Sequence, residues 1–367
     1  MAIRFMEYAP EHAPAVTAFN QRIASDVDDP DLLFSLHPTK MWLPKGTVAD
    51  IFQETFLAVD GDFVRGGYVL KHQPFAVKGE IRRVSSYRLP LSEGIVNRAF
   101  VSVGLLTLRH ALAQQALLFS LGMGSLERPV VKMQKAAGWT QFEIPFYFKI
   151  LNGERFLRNI AALRRTAGRR AAADVAALTG LGSLVFAGLR RVMGSRAPRD
   201  VSAELVPAFG PWTDELWAGC FQKYGLIAVR DQRLANLLYP AVDERFLRFR
   251  VSVAGRVAGW VVCLNTQMHG HKQFGDMRVA TIVDCLAAPE DAGLVLGAVT
   301  REMERQGPDM IISNQMNTAW AQALQSAGYL AGPTNFIFSA SKKLAEAMGD
   351  VTSGHMNRGD GDGPVHL

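Results

Sequence analysis

The amino-acid sequence predicts an α/β (α+β) protein in which one fold occurs twice, each copy having a mixed, mostly antiparallel sheet flanked by helices. Two repeated features support this prediction. A strand–turn–strand segment occurs at Phe56–Leu70 and again at Phe249–Cys263, and a Gly-aromatic pair opens the second apolar run each time. A helix end of the pattern Ala-Gly-aromatic follows in both halves, at Ala137–Trp139 and Ala327–Tyr329. Because solenoid repeats have periods of only about 20–50 residues, this longer repeat indicates duplicated domains.

Length and composition agree with two domains. At about 100–200 residues per domain, a chain of 367 residues can form two cores. Apolar residues make up 49% and charged residues 20%, which is typical of globular proteins. The three cysteines show no Cys-x-x-Cys spacing, so the sequence does not favour a disulfide framework, a zinc ribbon or a thioredoxin-type motif. The segment Met1–Tyr8 lacks the apolar core of a signal peptide, and we expect a cytoplasmic location.

In the first half, alternating and helical apolar spacings predict five elements in a fixed order. A strand is followed by a break at Ser92–Gly94, a helix, a strand, a glycine-bearing loop, a helix and a last strand. The predicted ranges are 82–91 (strand), 104–115 (helix), 117–121 (strand), 129–137 (helix) and 140–150 (strand).

The second half predicts the same order after its hairpin. Ala254-Gly255 supplies the turn residues between the two hairpin strands. Gly328 marks the end of the last helix before the final strand. The predicted ranges are 248–254 and 257–264 (hairpin), 279–286 (strand), 293–306 (helix), 309–313 (strand), 318–326 (helix) and 334–339 (strand).

The segment between the copies differs from both. We expect a first domain at 1–153, a basic and apolar linker at 154–200, a second domain at 201–345 and a polar Gly/Asp tail at 346–367. Arginines flank the apolar run Ala171–Leu189, but Asp174 and three glycines make it a poor membrane span. A helix packed between the domains is the favoured interpretation, and peripheral contact of residues 155–199 with an anionic membrane surface is the alternative. Nucleic-acid binding is disfavoured, because no aromatic interleaving or known binding motif accompanies the arginines.

The order of elements resembles the GNAT superfamily of acyl-CoA-dependent N-acyltransferases. More narrowly, the chain is similar to tandem GNAT proteins found with bacterial surface-polysaccharide genes. The resemblance covers nearly the whole chain, and short stretches carry it: Leu89–Gly94, Leu121–Gly124, Ala137–Trp139, Pro145–Phe148, Phe156–Arg158 and Arg358–Gly363.

This resemblance implies two tandem GNAT-like domains and an enzyme that transfers an acyl group from acetyl-CoA or another acyl-CoA to an amine. An amino sugar is the acceptor that the narrower likeness suggests. In the superfamily, a loop of pattern Gln/Arg-x-x-Gly-x-Gly/Ala opens a helix, and its backbone N–H groups bind the CoA pyrophosphate.

Both copies depart from that loop pattern. The second copy has Ala287–Gly293, which includes two acidic residues that oppose a pyrophosphate, and the first has Ser92–Phe100 followed by Gly104. By position, the resemblance makes Leu286, Ala288 and Gly293 the candidate CoA-binding residues of the second copy.

The resemblance also suggests residues for the chemistry, and it places them in the second copy. Asp284, near a strand end, is the candidate general base, and Tyr224 is the candidate proton donor to the departing thiolate. Asn314 and Asn317 match a loop that contacts the CoA arm, although Asn317 is equally a plain helix cap.

The likeness of the glycine-rich tail to those of the tandem GNAT proteins suggests an acceptor site. Arg358, Asp360 and Asp362 would supply a donor fork and two acceptors, which suits a hydroxyl-rich or phosphate-bearing acceptor. We expect this tail to be loose alone and fixed by substrate, so that its deletion spares thermal stability. No metal site is predicted, because His269 and His271 have only Asp276 nearby as a third ligand.

Two alternatives remain open at this point. The first is a FemABX-like aminoacyltransferase that uses aminoacyl-tRNA, which the basic linker and the altered CoA loops favour. The second is a non-catalytic binding protein whose GNAT-like copies have lost the cofactor.

Overall fold

The structure is a computed structural model that describes residues 2–24, 33–36, 50–160 and 200–361. The chain forms two compact units. Unit 1 consists of Met1–Glu143 and Asn335–Gly349, and unit 2 consists of Ile144–Thr334 and Asp350–Leu367. Each contains a mixed sheet with helices beside it, which confirms the predicted fold class.

In unit 1 the strands follow the order β1-β2-β3-β4-β5-β15-β6, and every neighbouring pair is antiparallel except β4 and β5. The strands are β1 (Arg4–Glu7), β2 (Phe52–Asp60), β3 (Phe63–Val77), β4 (Glu80–Ser92), β5 (Leu118–Met123), β6 (Thr140–Glu143) and β15 (Phe336–Ala340). The helices are α1 (Ala13–Ile23), α2 (Val101–Gln114), α3 (Pro129–Ala136) and α9 (Lys342–Met348).

The core of unit 1 lies on both faces of this sheet, because successive strand side chains point to opposite sides. On one face Tyr68, Tyr87 and Trp139 pack with Leu108 of α2. On the other face, Leu57 and its neighbours in β2 pack against α1. The repeated hairpin thus gives a sheet that is covered on both sides.

In unit 2 the strand order is β14-β7-β13-β12-β11-β10-β8, with β12 and β13 as the parallel pair. The strands of unit 2 are β7 (Phe146–Ile150), β8 (Val201–Leu205), β9 (Leu226–Ala228), β10 (Leu247–Val253), β11 (Arg256–Gln267), β12 (Arg278–Ala287), β13 (Met310–Asn314) and β14 (Leu330–Gly332). The helices are α4 (Gly153–Asn159), α5 (Trp212–Cys220), α6 (Gln232–Leu238), α7 (Ala292–Arg305) and α8 (Thr318–Ser326).

The last strand of each sequence half belongs to the sheet of the other half. The single strand predicted at 140–150 is in fact two strands, β6 in unit 1 and β7 in unit 2. Ile144 and Pro145 separate them, and proline cannot donate a ladder hydrogen bond. In return, β15 of the second half pairs with β5 and β6 in unit 1. Because of this exchange, the two units do not coincide with the continuous domains 1–153 and 201–345 expected from the sequence.

The aromatic residues of the repeat occupy corresponding elements. Tyr68 and Trp260 follow glycines in the second hairpin strand of each unit, and a Cβ at Gly259 would lie 2.7 Å from the Leu286 carbonyl oxygen. Trp139 and Tyr329 each follow a glycine of positive φ, 81° and 85° respectively. The backbone N–H of each aromatic residue donates to the carbonyl oxygen five residues earlier, at 3.0 Å in both copies. Two helix ends with the same cap support a duplicated fold.

Of the predicted linker, α4 lies within the described residues, whereas 161–199 lies outside them. The helix and the membrane contact predicted there therefore stay predictions. Within the described ranges, no helix is both long enough and apolar enough to cross a bilayer.

Candidate functional site

The C-terminal tail lies where the two parallel strands of unit 2 separate. β12 and β13 pair from Val279 to Ile282 and from Met310 to Ser313, and each then continues without the other. The His355 ring nitrogen Nε2 donates to the Cys285 carbonyl at 2.8 Å, and the Met316 N–H donates to the Met356 carbonyl at 3.1 Å. Because it bonds to both strand ends, the tail fills the groove between them.

Asp284 stands at the centre of a buried ion-pair network in this groove. Its Oδ1 accepts hydrogen bonds from Arg230 Nε at 2.9 Å and from Asn357 Nδ2 at 2.7 Å. Its Oδ2 accepts from the Tyr239 hydroxyl at 2.8 Å. The other side of the Arg230 guanidinium donates to both oxygens of Asp360 at 2.9 Å. Arg230, Asp284 and Asp360 are each no more than 2% exposed.

Electrostatics favour the charged form of Arg230. Burial alone disfavours a guanidinium, but the carboxylates of Asp284 and Asp360 outweigh it and keep the pKa of Arg230 above its usual value. Burial and the adjacent Asp284 carboxylate raise the pKa of the Tyr239 phenol well above its usual value, so this hydroxyl remains a donor. The arrangement is that of a compensated buried ion pair.

The hydrogen bonds of Asp284 bear on its predicted role as the general base. A general base needs an oxygen that can reach the proton of an incoming amine. Both carboxylate oxygens of Asp284 are already occupied by donors from the chain, and the residue is buried. Its role as base stays a prediction, and the described geometry instead favours a structural role.

Tyr224 is buried in the same unit. Its hydroxyl donates to the Ala287 carbonyl at 2.7 Å and accepts from the Trp320 indole N–H at 2.9 Å. Burial raises the pKa of this phenol. Tyr224 therefore bonds the end of β12 to α8, and its role as proton donor stays a prediction.

The predicted CoA-loop residues of the second copy lie beside two paired carboxylates, and their contact with CoA stays a prediction. Leu286 is fully buried, whereas Ala288 is partly exposed and Gly293 is exposed. At the start of α7, Glu290 pairs with Lys223 and Asp291 pairs with Arg256. These two carboxylates already interact with the positive end of the helix dipole, which a bound pyrophosphate would also need.

The two asparagines bond to the chain itself. The Asn317 side-chain oxygen accepts from the Ala319 N–H, which makes it the N-cap of α8, and its amide donates to the carbonyls of Thr352 and Ser353. Asn314 Nδ2 donates to the Pro145 carbonyl at 3.2 Å, and Asn314 Oδ1 accepts from Arg358 Nε at 2.9 Å. Their contact with a CoA arm stays a prediction.

The expectation of a loose tail was wrong for its described part. Asn357 is 0% exposed and Asp360 is 2% exposed, and both bond to the network. Read alone, the Gly/Asp pattern indicates a flexible segment. The ion-pair partner of Asp360 is Arg230, which lies 130 residues away in the sequence and leaves no local signal. Asp362, the third predicted acceptor-binding residue, lies outside the described residues.

The corresponding groove of unit 1 has a different surface. β4 and β5 pair only at Ser85–Ser86 and Leu118–Phe119, and then both strands continue. The last parallel pair is Ser86 with Phe119 in unit 1 and Ile282 with Ser313 in unit 2. When these pairs are aligned, residues 88–90 correspond to 284–286, and 121–123 correspond to 315–317. The unit 1 positions are partly exposed, whereas those of unit 2 are buried. A bulge at Leu89, whose φ is 45°, turns the edge of β4 here.

The helix that follows this groove also differs between the units. No acidic residue lies in the first turn of α2, and the preceding loop exposes Arg98. Glu93, the carboxylate at the start of that loop, is buried and pairs with Arg22 and Arg65 at 3.1 and 2.9 Å. The N-terminus of α2 is therefore electrostatically better suited to an anion than that of α7.

Sequence reasoning missed Arg230, Tyr239 and Asn357. The one signal for Arg230 is its position at the end of an apolar run, Leu226–Val229, where a charged side chain needs a partner. Nothing in the local pattern marks Tyr239 or Asn357. Among the residues that the structure describes, no cluster of three or more His, Cys, Asp or Glu side chains could hold a metal ion.

Gly359→Ala is expected to destabilise unit 2 by about 1–3 kcal/mol, because the added Cβ would collide with the Tyr239 hydroxyl and lie 3.1 Å from Asp284 Cβ. Chemical denaturation of the variant measures this loss. Gly219→Ala is the matched control, since a Cβ there meets no atom within 4 Å. Combining Gly359→Ala with Tyr239→Phe removes the colliding oxygen, so the double variant should lose less than the sum of the two single losses. Strict additivity would contradict this packing.

Known structures resemble this chain in fold. A GCN5-related N-acetyltransferase from Anabaena variabilis has a TM-score of 0.51 at 9% identity, with 92% of this chain and 72% of that chain covered. A probable N-acyltransferase from Enterococcus faecalis has a TM-score of 0.51 at 9% identity, with 94% and 73% covered. Saccharomyces cerevisiae N-myristoyltransferase with bound myristoyl-CoA has a TM-score of 0.50 at 9% identity, with 92% and 79% covered.

These likenesses establish a GNAT fold, in agreement with the resemblance seen in the sequence. No protein-family model matches the sequence. A comparison with curated proteins also found no match.

Proposed function

We propose that this chain is an acyl-CoA-dependent N-acyltransferase that acts on an amine acceptor, with the acyl-CoA bound in the groove between β4 and β5 of unit 1. The observation that carries the proposal is the contrast between the two grooves. The groove of unit 2 is filled by residues 355–360, whereas the matching edges of unit 1 remain partly exposed. This reverses the expectation that the second copy binds the cofactor.

The groove of unit 1 has the chemistry that a CoA thioester needs. Where two parallel strands diverge, their edges can pair with an extended ligand, as in β-strand addition, and the pantetheine arm of CoA carries two amides. The N-terminus of α2, with Arg98 in the loop before it, would bind the pyrophosphate. The co-substrate would be acetyl-CoA or a longer acyl-CoA.

In the proposed reaction the neutral amine attacks the thioester carbonyl carbon. A C–N bond forms, the C–S bond breaks, and the amine proton ends on the departing CoA thiol. Backbone N–H groups at the strand edge would stabilise the oxyanion of the tetrahedral intermediate. Asp284 and Tyr224 are assigned no step, because both are buried and bonded within unit 2.

Finer points remain part of the proposal. An amino sugar of surface-polysaccharide synthesis is the acceptor that the tandem-GNAT likeness suggests, together with a cytoplasmic location and membrane contact by residues 155–199. A FemABX-like aminoacyltransferase and a non-catalytic binding protein are the competing functions. Binding of acetyl-CoA or longer acyl-CoAs to the purified protein would argue against both.

One pair of variants tests the assignment of the groove. Ser102 and Gly293 are the exposed second residues of α2 and α7, the corresponding helices of the two units. Ser102→Glu places a carboxylate beside the proposed pyrophosphate position, and we expect it to weaken acyl-CoA binding about tenfold, or about 1.4 kcal/mol. Gly293→Glu should leave binding unchanged. Isothermal titration calorimetry with acetyl-CoA and myristoyl-CoA measures both.

Salt dependence provides the internal check. The difference between Ser102→Glu and the wild type should shrink as ionic strength rises, since exposed charges are screened. A glutamate in the first turn favours the helix, so neither variant should unfold. Loss of binding in Gly293→Glu with full binding in Ser102→Glu would move the cofactor to unit 2. No binding of any acyl-CoA by the wild type would reject the proposed function.

A further inference from the structure

Arg358 has no acidic partner in the part of the chain that the structure describes. Within the described residues it makes one hydrogen bond, from Nε to Asn314 Oδ1 at 2.9 Å, and no carboxylate pairs with it. Its two terminal nitrogens therefore have no acceptor from the described chain. Arg230, in the same unit, is instead paired with two carboxylates.

Such an arrangement is costly for a folded protein. Arg358 remains partly exposed, yet desolvation by the surrounding chain lowers the pKa of its guanidinium to about 10. A desolvated cation without a counter-ion destabilises a fold. Residues that break a local rule in this way often mark functional sites.

The side chain is also held in place from both ends. Its backbone belongs to the turn Arg358–Asp360, which the reciprocal bonds between Asn357 and Asp360 close. Asp360 is in turn clamped by Arg230. At the other end, Asn314 is fixed by its bond to the Pro145 carbonyl. The fork of terminal N–H groups is therefore preorganised before any ligand arrives.

The geometry points to an oxyanion-binding site in unit 2, in which the terminal nitrogens of Arg358 bind a carboxylate or a phosphate group through two parallel hydrogen bonds. A planar guanidinium matches both groups in this way. A neutral hydroxyl-rich ligand fits less well, because Asp360 is already committed to Arg230. The site stands independently of the proposed acyl transfer.

Direct binding is the first test. Inorganic phosphate and succinate are titrated into the full-length wild type, Arg358→Gln and Arg245→Gln, the last being a control in which an exposed arginine paired with Asp243 is lost. We expect the wild type and the control to bind at least one probe, and Arg358→Gln to bind it at least tenfold more weakly. The melting temperature of Arg358→Gln without ligand should equal or exceed that of the wild type, because an uncompensated cation is removed.

The second test identifies the source of the oxyanion. If CoA supplies it, Arg358→Gln weakens binding of CoA, which would place the cofactor in unit 2 and reject its assignment to the groove of unit 1; dephospho-CoA then shows whether the 3′-phosphate is involved. If the acceptor supplies it, the variant raises the KM for glucosamine 6-phosphate at least tenfold, with the KM for glucosamine and for acyl-CoA unchanged. Either pattern supports the site.

Two results would overturn the inference. One is equal binding of phosphate and succinate by the wild type and Arg358→Gln, or no binding by either. The other is a large drop in the melting temperature of Arg358→Gln without ligand, which would give this cation a structural role. Neither result depends on acyl transfer, so the proposed function could survive a failure of this site.

Discussion

Arg230→Met is expected to lower the free energy of unfolding of unit 2 by about 3–5 kcal/mol. The substitution removes the cation that Asp284 and Asp360 share and leaves two carboxylates buried without a counter-charge. Methionine fills similar volume, so the loss reports charge compensation rather than a cavity. Urea unfolding followed by tryptophan fluorescence measures it, because Trp212, Trp217, Trp260 and Trp320 all lie in unit 2.

Two further variants separate this effect from general damage. Arg245→Met removes an exposed arginine, and it should change stability by less than about 1 kcal/mol. Adding Asp284→Asn and Asp360→Asn to Arg230→Met removes the uncompensated charges, so the triple variant should recover much of the loss. If Arg230→Met alone were as stable as the wild type, the network would not be charged in the folded protein.

Truncation after Met356 is expected to destabilise unit 2 by a comparable amount, about 3–5 kcal/mol. The deletion removes Asp360 from Arg230 and the Asn357 amide from Asp284, and it takes the buried residues from 357 onward out of the groove between β12 and β13. Differential scanning calorimetry should show a lower melting temperature. This outcome is opposite to the one expected for a loose tail.

A shorter truncation after Gly361 is the matched control, because it retains Asn357, Arg358 and Asp360. We expect it to keep most of the stability that the longer truncation loses. The point variant Asp360→Asn should fall between the two, since it removes one carboxylate but leaves the tail in the groove. A longer truncation that melts at the wild-type temperature would show that the groove does not depend on the tail.

Several features of the fold were predictable from local sequence. The apolar periods placed most strands and helices within a few residues of their observed bounds, and the helix predicted at 318–326 matches α8. Gly138 and Gly328 marked helix ends, because a left-handed residue there suits glycine. Such signals concern neighbouring residues, and hydrogen bonds or side-chain spacing over a few positions fix them.

The candidate site was predictable only in part. Asp284, Arg358 and Asp360 were positions of interest because the resemblance to GNAT proteins suggested a general base at the strand end and an acceptor site in the tail. Their surroundings were not foreseeable. Arg230 is separated from Asp284 by 54 residues and from Asp360 by 130, and no local pattern encodes which acid meets which base.

The sequence by itself therefore determined the duplication, the order of elements and the α/β class, because each follows from short-range periodicity and from the comparison of one half with the other. The tertiary structure alone decided that β7 and β15 exchange sheets and that the tail fills the groove of unit 2. It also decided that Arg230 is compensated by two carboxylates while Arg358 meets none among the described residues. The physical reason is that strand pairing and ion pairing over long separations depend on which surfaces meet in space, and burial then sets the free energy of each contact.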